Sequence, residues 1–233
     1  MLRSFALGYE RFCRVVLMIA VTHVAFLVHT LMGVVIIGLF PSISATYTTY
    51  RTWLLSEDHS WSIHETWTVF HRAWKDDLAG ANRFGWPQAL LWALLIFDYW
   101  VVNFHDAGKL GYASAGVLLI GIVFYGLFSS LSWALKANFD ESGWWITRMT
   151  LQMVIARPLC SLCLTILFIL TVCSWMTWPG LIPAFGVALP VFFVMIVVGK
   201  LGKVPGMTRP EDEGESTNDG SRLLMQATGT ANK

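Results

Sequence analysis

The sequence predicts an all-α fold, a polytopic transmembrane helical bundle with five to six membrane-crossing helices and two cytoplasmic amphipathic helices. Of its 233 residues, 55% are hydrophobic and only 13% are Asp, Glu, Lys or Arg, whereas a typical soluble domain has about 25% charged residues. Residues 15–50, 110–135 and 158–199 contain none of these four residue types. Because about 20 apolar residues in a helix cross the roughly 30 Å hydrocarbon layer, these stretches exclude a soluble globular protein.

The hydrophobic pattern places clear spans at about residues 15–40, 86–103, 112–135, 159–178 and 184–198. The last charge-free stretch is too long for one crossing, and the Trp-Pro-Gly sequence at residues 178–180 marks its turn, because Pro and Gly end helices. Pro190 predicts a kink in the short final span. Residues 1–204 therefore form one transmembrane domain. Residues 205–233 are rich in Gly, Glu, Ser, Thr and Asn and predict a disordered cytoplasmic tail.

Residues 42–55 decide between five and six crossings. This segment is compatible with a helix but is rich in Thr, Ser and Tyr. If it does not cross, the arginines before residue 15 lie outside the cell. If it crosses back, Lys109 is the only Lys or Arg on the outer side, in agreement with the cytoplasmic preference of these residues. The crossing helix would be short, and its threonines would need protein partners. Both arrangements put residues 56–85, 136–157 and the C-terminus in the cytoplasm.

Two cytoplasmic segments have the periodicity of amphipathic helices. In the first, every third or fourth residue is apolar, which gives one stripe along a helix: Ile63, Trp67, Phe70, Trp74 and Leu78. Ser62 is the expected N-cap, with Glu65 as its capping-box partner. In the second, the stripe is Trp145, Met149, Met153 and Ala156. Either stripe could dock a partner protein or lie in the lipid headgroup layer.

Asp98 is the candidate functional residue within the membrane, because it is the only Asp, Glu, Lys or Arg inside a clear span. Intramembrane carboxylates are costly and often mark proton relays or substrate pathways. The alternative is a structural polar contact, since Asp98 lies close to the outer end of its helix. His23 and His29 lie on different faces of the first span, and we expect them to pair with the threonines of residues 42–55.

No group of residues predicts a catalytic, cofactor-binding or metal site. His64-Glu65 lacks the second histidine of a zinc protease motif, and His105 with Asp106 offers too few ligands for a metal. Cys160 and Cys163 have the spacing of a redox pair but not its strand–helix context, so packing cysteines are expected. The net charge of +1 gives no basic footprint for nucleic acid. A Gly-rich phosphate loop is absent, so we expect no ATP hydrolysis by a P-loop mechanism. No nucleophile–base or metal constellation is visible either, so we do not expect an enzyme.

Several sequence features together resemble a known family. A long apolar helix ends in Phe-Pro-Ser-Ile-Ser-Ala at residues 40–45, and Tyr47, Tyr50 and Arg51 follow. An aromatic and basic helix comes next, and a later apolar span ends on Asp98-Tyr99. Over about residues 5–200, this pattern resembles the YesL-like family of bacterial integral membrane proteins, which is a domain of unknown function.

The resemblance implies a role in a bacterial plasma membrane. Members of this family commonly occur beside carbohydrate ABC importers and glycoside hydrolases in bacterial genomes. We therefore expect an accessory or regulatory protein of oligosaccharide import, with an ABC permease or its ATPase subunit as partner besides the lipid bilayer. The alternative is a small autonomous transporter or channel that uses Asp98. The resemblance implies no catalytic residue.

Overall fold

The computed structural model describes residues 2–104, 108–202, 204 and 206. Every regular element within these residues is helical, which confirms the all-α prediction. The helices are α1 (Leu2–Met32), α2 (Leu39–Leu55), α3 (Ile63–Asp76), α4 (Leu78–Phe104), α5 (Gly108–Asn138), α6 (Gly143–Ala156), α7 (Pro158–Thr177), α8 (Leu181–Phe185) and α9 (Ala188–Leu201). The predicted tail, residues 205–233, lies outside the described residues apart from Gly206.

Four helices in the described part of the chain are long and apolar enough to cross a membrane. They are Gly8–Met32 within α1, Leu78–Phe104, Gly111–Asn138 within α5, and Pro158–Thr177. Helix α9 is also apolar but has only 14 residues, and α2 has 17. The chain thus has the helices of an integral membrane protein, and a fifth and a sixth crossing remain predictions.

Helix α1 ends before the predicted end of its span, because the chain reverses between Met32 and α2. Val34 and Val35 adopt left-handed backbone conformations, with φ of 54° and 62°, a region that β-branched residues rarely enter. Gly33 and Gly38 approach each other so closely that a Cβ on Gly33 would overlap the Cα of Gly38. The predicted single span of residues 15–40 is therefore wrong at its C-terminal end.

Helix α2 lies inside the bundle. Pro41 lies in the first turn of α2, where its missing N–H interrupts no bond of the helix interior. Some hydroxyl groups of α2 donate to backbone carbonyls of the same helix. Thr46 Oγ1, for example, donates to the Ser42 carbonyl at 2.8 Å. Most of its residues are buried, namely Phe40, Pro41, Ser42, Ser44, Ala45, Thr46, Tyr47, Thr49, Tyr50 and Trp53. The segment therefore has the protein partners that a sixth crossing would require.

The loop between α2 and α3 is organised by side chains that bond to the backbone. Asp58 accepts a hydrogen bond from the Ser60 N–H at 2.7 Å. Hydrogen bonds from the Ser60 hydroxyl and N–H hold the pKa of Asp58 below its ordinary value. The Ser62 hydroxyl then accepts from the N–H of Glu65 at 3.1 Å, which confirms the predicted N-cap of α3.

Helix α3 runs beside α1 in the same direction. Near its start, Nη1 of Arg14 donates to the Ser60 carbonyl at 3.4 Å. Just beyond its end, Nδ2 of Asn82 donates to the Ile37 carbonyl, in the turn between α1 and α2, at 2.8 Å. The segment 56–85, predicted to lie wholly in the cytoplasm, thus joins opposite ends of the α1–α2 hairpin.

Helices α4 and α5 form an antiparallel hairpin with an apolar outer surface. The rings of Trp92 and Tyr125 lie 5.2 Å apart between them. Only 6% of the most apolar part of α4 and 11% of that of α5 are buried, so most of this surface is free to contact lipid. Exposed residues on the hairpin include Leu90, Leu94, Ile96, Phe97, Val117 and Ile120.

The structure corrects three expectations for the part of the chain that follows α5. In α6 the buried stripe is Ile146, Thr150 and Val154, one residue away from the predicted stripe of Trp145, Met149, Met153 and Ala156. Helix α9 is continuous through Pro190, because this proline lies in its first turn. The predicted span 184–198 is interrupted earlier, at residues 186–187, between α8 and α9.

We expect Gly85→Ala to lower the free energy of unfolding by about 1–3 kcal/mol. A Cβ at Gly85 would enter the Phe40 ring, where α4 crosses α2. The matched control is Gly116→Ala in α5, where a Cβ meets nothing within 4 Å and the gain in helix propensity is about 0.5–1 kcal/mol. Unfolding by sodium dodecyl sulfate in mixed micelles measures both, and equal stability of the two variants would contradict the packing.

Candidate functional site

The predicted docking stripe faces the interior of the bundle. Phe70 is fully buried, and Trp67 and Trp74 are half-buried, whereas Ile63 is 56% exposed. Leu78, predicted as the last residue of the stripe, belongs to α4, because α3 ends at Asp76. Phe70 packs with Ala25 and Phe26 of α1 and Ala45 of α2. Helices α1 and α2 therefore bury most of the apolar stripe of α3, so no partner protein is needed to cover it.

His29 of α1 occupies the centre of this stripe. Its Nδ1 lies 2.8 Å from the Ala25 carbonyl, and its Nε2 lies 2.9 Å from Nδ1 of His71. A carbonyl oxygen only accepts hydrogen bonds, so Nδ1 of His29 carries the proton and its Nε2 accepts one from Nδ1 of His71. The predicted pairing of His29 with the threonines of α2 is wrong, because its side-chain partner is a histidine of α3.

Aromatic rings of α3 surround the imidazole of His29. The ring centroids of Trp67, Phe70, His71 and Trp74 lie 5.1–5.3 Å from that of His29, at tilted or edge-on angles. Tilted and edge-on contacts are the favoured geometries of aromatic neighbours. We call His29 with these four residues the histidine box, and it fastens α3 to α1.

A second polar cluster joins α2, α5 and the junction between α3 and α4, where Asp77 lies. Nζ of Lys136 lies 2.6 Å from Oδ2 of Asp77, and Oγ of Ser44 donates to the same oxygen at 2.6 Å. The side chain of Lys136 is 17% exposed and that of Asp77 27%. Each group has therefore lost most of its water and depends on the other for charge compensation.

A cleft of about 720 Å³ opens beside this ion pair, between α4, α5 and α6. Gln88 lies within the hairpin, and its side chain bonds to Ser132 at 3.2 Å and to Ser129 at 2.9 Å. Tyr125 donates to the Gln88 carbonyl at 3.0 Å. The remaining residues that line the cleft include charged, aromatic, aliphatic and small side chains: Asp77, Gly80, Arg83, Phe84, Pro87, Leu91, Phe128, Lys136, Asp140, Glu141, Gly143, Trp144, Ile146 and Thr147.

Asp98 lies apart from both clusters. It is half-buried on α4 between exposed Phe97 and half-buried Tyr99. No hydrogen bond or ion pair joins it to another described residue, and it lines none of the three described cavities. The structure thus brings Asp98 together with no other candidate residue.

The remaining candidates form no chemical constellation in the described part of the chain. His23 is buried and stacks on Phe26, with centroids 6.4 Å apart, whereas Cys160 is buried and Cys163 half-buried, both as free thiols. Among the described residues, no three His, Cys, Asp or Glu side chains are placed to hold a metal ion. His105 and Asp106 lie outside the described residues.

His71, Asp77 and Lys136 were not among the candidate functional residues predicted from the sequence. Each residue is charged or polar in a segment that was assigned to the cytoplasm, where such residues are ordinary. The one sequence feature that marks this cluster is the pair of acidic residues Asp76 and Asp77 at the end of the amphipathic helix. This feature does not predict Lys136 as the partner of Asp77, because Lys136 lies 59 residues away in sequence.

Comparison with known proteins supports only a coarse assignment. A family model described as "Protein of unknown function, DUF624" matches residues 19–99, which cover the C-terminal part of α1, all of α2 and α3, and most of α4. The histidine box and Asp77 lie inside the matched region, whereas Lys136 and α6 lie outside it. No curated protein and no solved structure matches the chain. The chain is thus similar, over this region, to a family whose function is unknown, which is consistent with the YesL-like resemblance.

We expect His71→Ala to lower the free energy of unfolding by about 1 kcal/mol, because it removes a hydrogen-bond donor to the buried His29. His64→Ala is the matched control, since His64 is an exposed histidine on the same helix, and its effect should stay within about 0.5 kcal/mol. Equal losses in the two variants, measured by unfolding in mixed micelles, would show that the histidine box contributes nothing specific.

We expect Asp77→Asn and Lys136→Met to be coupled by about 1–3 kcal/mol in a double-mutant cycle. The matched control is the cycle of Glu10→Gln and Arg14→Gln, an exposed pair one helical turn apart with side chains 55% and 43% exposed. Solvent screens that pair, so its coupling should be about 0.3–0.5 kcal/mol. Similar coupling energies in the two cycles would contradict the assignment of Asp77 and Lys136 as a desolvated pair.

Proposed function

We propose that this chain is an integral membrane accessory or regulatory protein that associates with a carbohydrate ABC importer in a bacterial plasma membrane. The observation that carries the proposal is the outward face of α3. It is polar or charged and exposed, with His64, Glu65, Thr68, Arg72, Lys75 and Asp76. The apolar face of the same helix is largely covered by α1 and α2.

Helix α3 is thus held in a fixed position while it presents charge. Hydrocarbon cannot solvate such a face, because charged and hydrogen-bonding groups are costly in lipid. Water or a partner protein must therefore lie against α3. A partner with complementary charge would gain orientation and specificity from this surface. The partner class, an ABC permease or its ATPase subunit, follows from the YesL-like resemblance.

We expect charge reversal on α3, Arg72→Glu with Lys75→Glu, to reduce recovery of the partner roughly tenfold, because repulsion replaces attraction at the contact. The tagged protein is crosslinked in native membranes and purified, and co-purified permease and ATPase subunits are quantified by mass spectrometry. Arg11→Glu is the control, since it reverses an exposed charge at the far end of α1.

Failure to enrich either subunit with the unaltered protein would contradict the proposal. Recovery that Arg72→Glu/Lys75→Glu leaves unchanged would place the contact elsewhere than on α3. Substrate flux through proteoliposomes that contain this protein alone, abolished by Asp98→Asn, would instead favour the alternative prediction of autonomous transport.

A further inference from the structure

We propose that the cleft between α4, α5 and α6 binds one phospholipid with a zwitterionic headgroup and a primary ammonium group, that is, a phosphatidylethanolamine. The proposal is independent of the partner proposed for α3, which lies on another surface. It rests on the charges at one end of the cleft, the apolar side chains at the other, and the volume between them.

Among the described residues, the charged end of the cleft has one cation and two anions that form no ion pair. Arg83, Asp140 and Glu141 are exposed, and none of them forms an ion pair with another described residue. Lys136 and Asp77 also line the cleft, but they neutralise each other. Arg83 can therefore pair with a negative group, and the two carboxylates can share a positive group, so these charges suit a ligand that carries one group of each sign.

The chemistry of these groups selects among headgroups. The guanidinium of Arg83 can bind two oxygens of a phosphate at once. The carboxylates of Asp140 and Glu141 only accept hydrogen bonds, so a primary ammonium with three N–H donors suits them better than a choline, which has none. An anionic headgroup that has no cationic group would be repelled by both carboxylates.

The other end of the cleft is suited to an acyl chain. Pro87, Leu91 and Phe128 line it, and the exposed surface of α4 continues with Leu94, about one turn beyond Leu91. Trp144 beside the charged end is 79% exposed, and tryptophan is favoured at the headgroup level of a bilayer. The cleft therefore runs from a charged rim to a lipid-facing apolar surface.

The volume of the cleft agrees with this occupant. At about 720 Å³ it lies within the roughly 300–1,000 Å³ of typical ligand sites. A headgroup fills only part of this space, which leaves room for the first carbons of an acyl chain. A soluble phosphate or amine alone would leave the apolar end empty.

The test uses the full-length chain, delipidated in detergent, and native mass spectrometry with added lipids. The probes are dioleoyl phosphatidylethanolamine, phosphatidylcholine and phosphatidylglycerol, with soluble phosphoethanolamine as the acyl-free probe. We expect phosphatidylethanolamine to bind at least about tenfold more tightly than the other lipids, which corresponds to one additional charge-assisted contact.

Two variants test the contacts to the phosphate and to the ammonium group separately. Arg83→Gln should weaken binding of phosphatidylethanolamine and phosphatidylcholine about equally, because both carry the phosphate. Asp140→Asn/Glu141→Gln should abolish the preference between these two lipids, because it removes the ammonium partners. Arg11→Gln, an exposed arginine outside the cleft, is the matched control and should bind as the unaltered protein does. Since all these side chains are exposed, the thermal midpoints should not change.

Equal binding of the three lipids by the unaltered protein would overturn the proposal. A preference that survives both cleft variants would also overturn it, because the lipid would then bind elsewhere. Phosphoethanolamine that binds as tightly as the intact lipid would make a soluble metabolite the ligand, which would likewise reject a lipid site.

Discussion

The burial of α2 is the constraint on which the rest of the structure depends. This helix is short and rich in hydroxyl groups, so it cannot face hydrocarbon, where unsatisfied polar groups cost several kcal/mol. Helices α1, α3, α4, α5 and α9 all pack against it. Tyr50 and Trp53 meet Phe192 of α9, with ring centroids 5.3 and 5.7 Å apart. The bundle is therefore built around a polar helix rather than around its most apolar one.

This arrangement explains why the two polar clusters lie where they do. The histidine box fastens α3 over one side of the α1–α2 hairpin, and the Ser44–Asp77–Lys136 cluster joins α2 to the helices on the other side. Each cluster contains one pair of polar side chains that hydrogen-bond to each other across two helical segments, His29 with His71 and Asp77 with Lys136. The apolar α4–α5 hairpin and α7 then extend outward, with most of their surface free for lipid.

Local patterns in the sequence predicted what local forces decide. The apolar period and the Ser62 cap correctly gave α3, because both act within a few residues. The tight reversal at Gly33 and Gly38 was not predicted, because the residues on both sides of it are apolar and a hydropathy pattern does not indicate a turn within an apolar stretch. The α6 stripe was predicted one residue off, because apolar residues occur on adjacent faces and packing on α5 decides between them. The partner of His29 could not be predicted, because it lies 42 residues away in sequence.

The same geometry limits how the chain can lie in a bilayer. With 17 residues, α2 is about 25 Å long at 1.5 Å per residue, somewhat less than the roughly 30 Å hydrocarbon layer. Helix α3 lies beside it and, with 14 residues, is about 21 Å long, yet its outward face carries Glu65, Arg72 and Lys75. If the α1–α2 hairpin crosses the bilayer, that charged face crosses with it and must be covered by protein or water rather than lipid. Under that condition, the surface that protein or water must cover is the same surface to which the proposed accessory role assigns a partner.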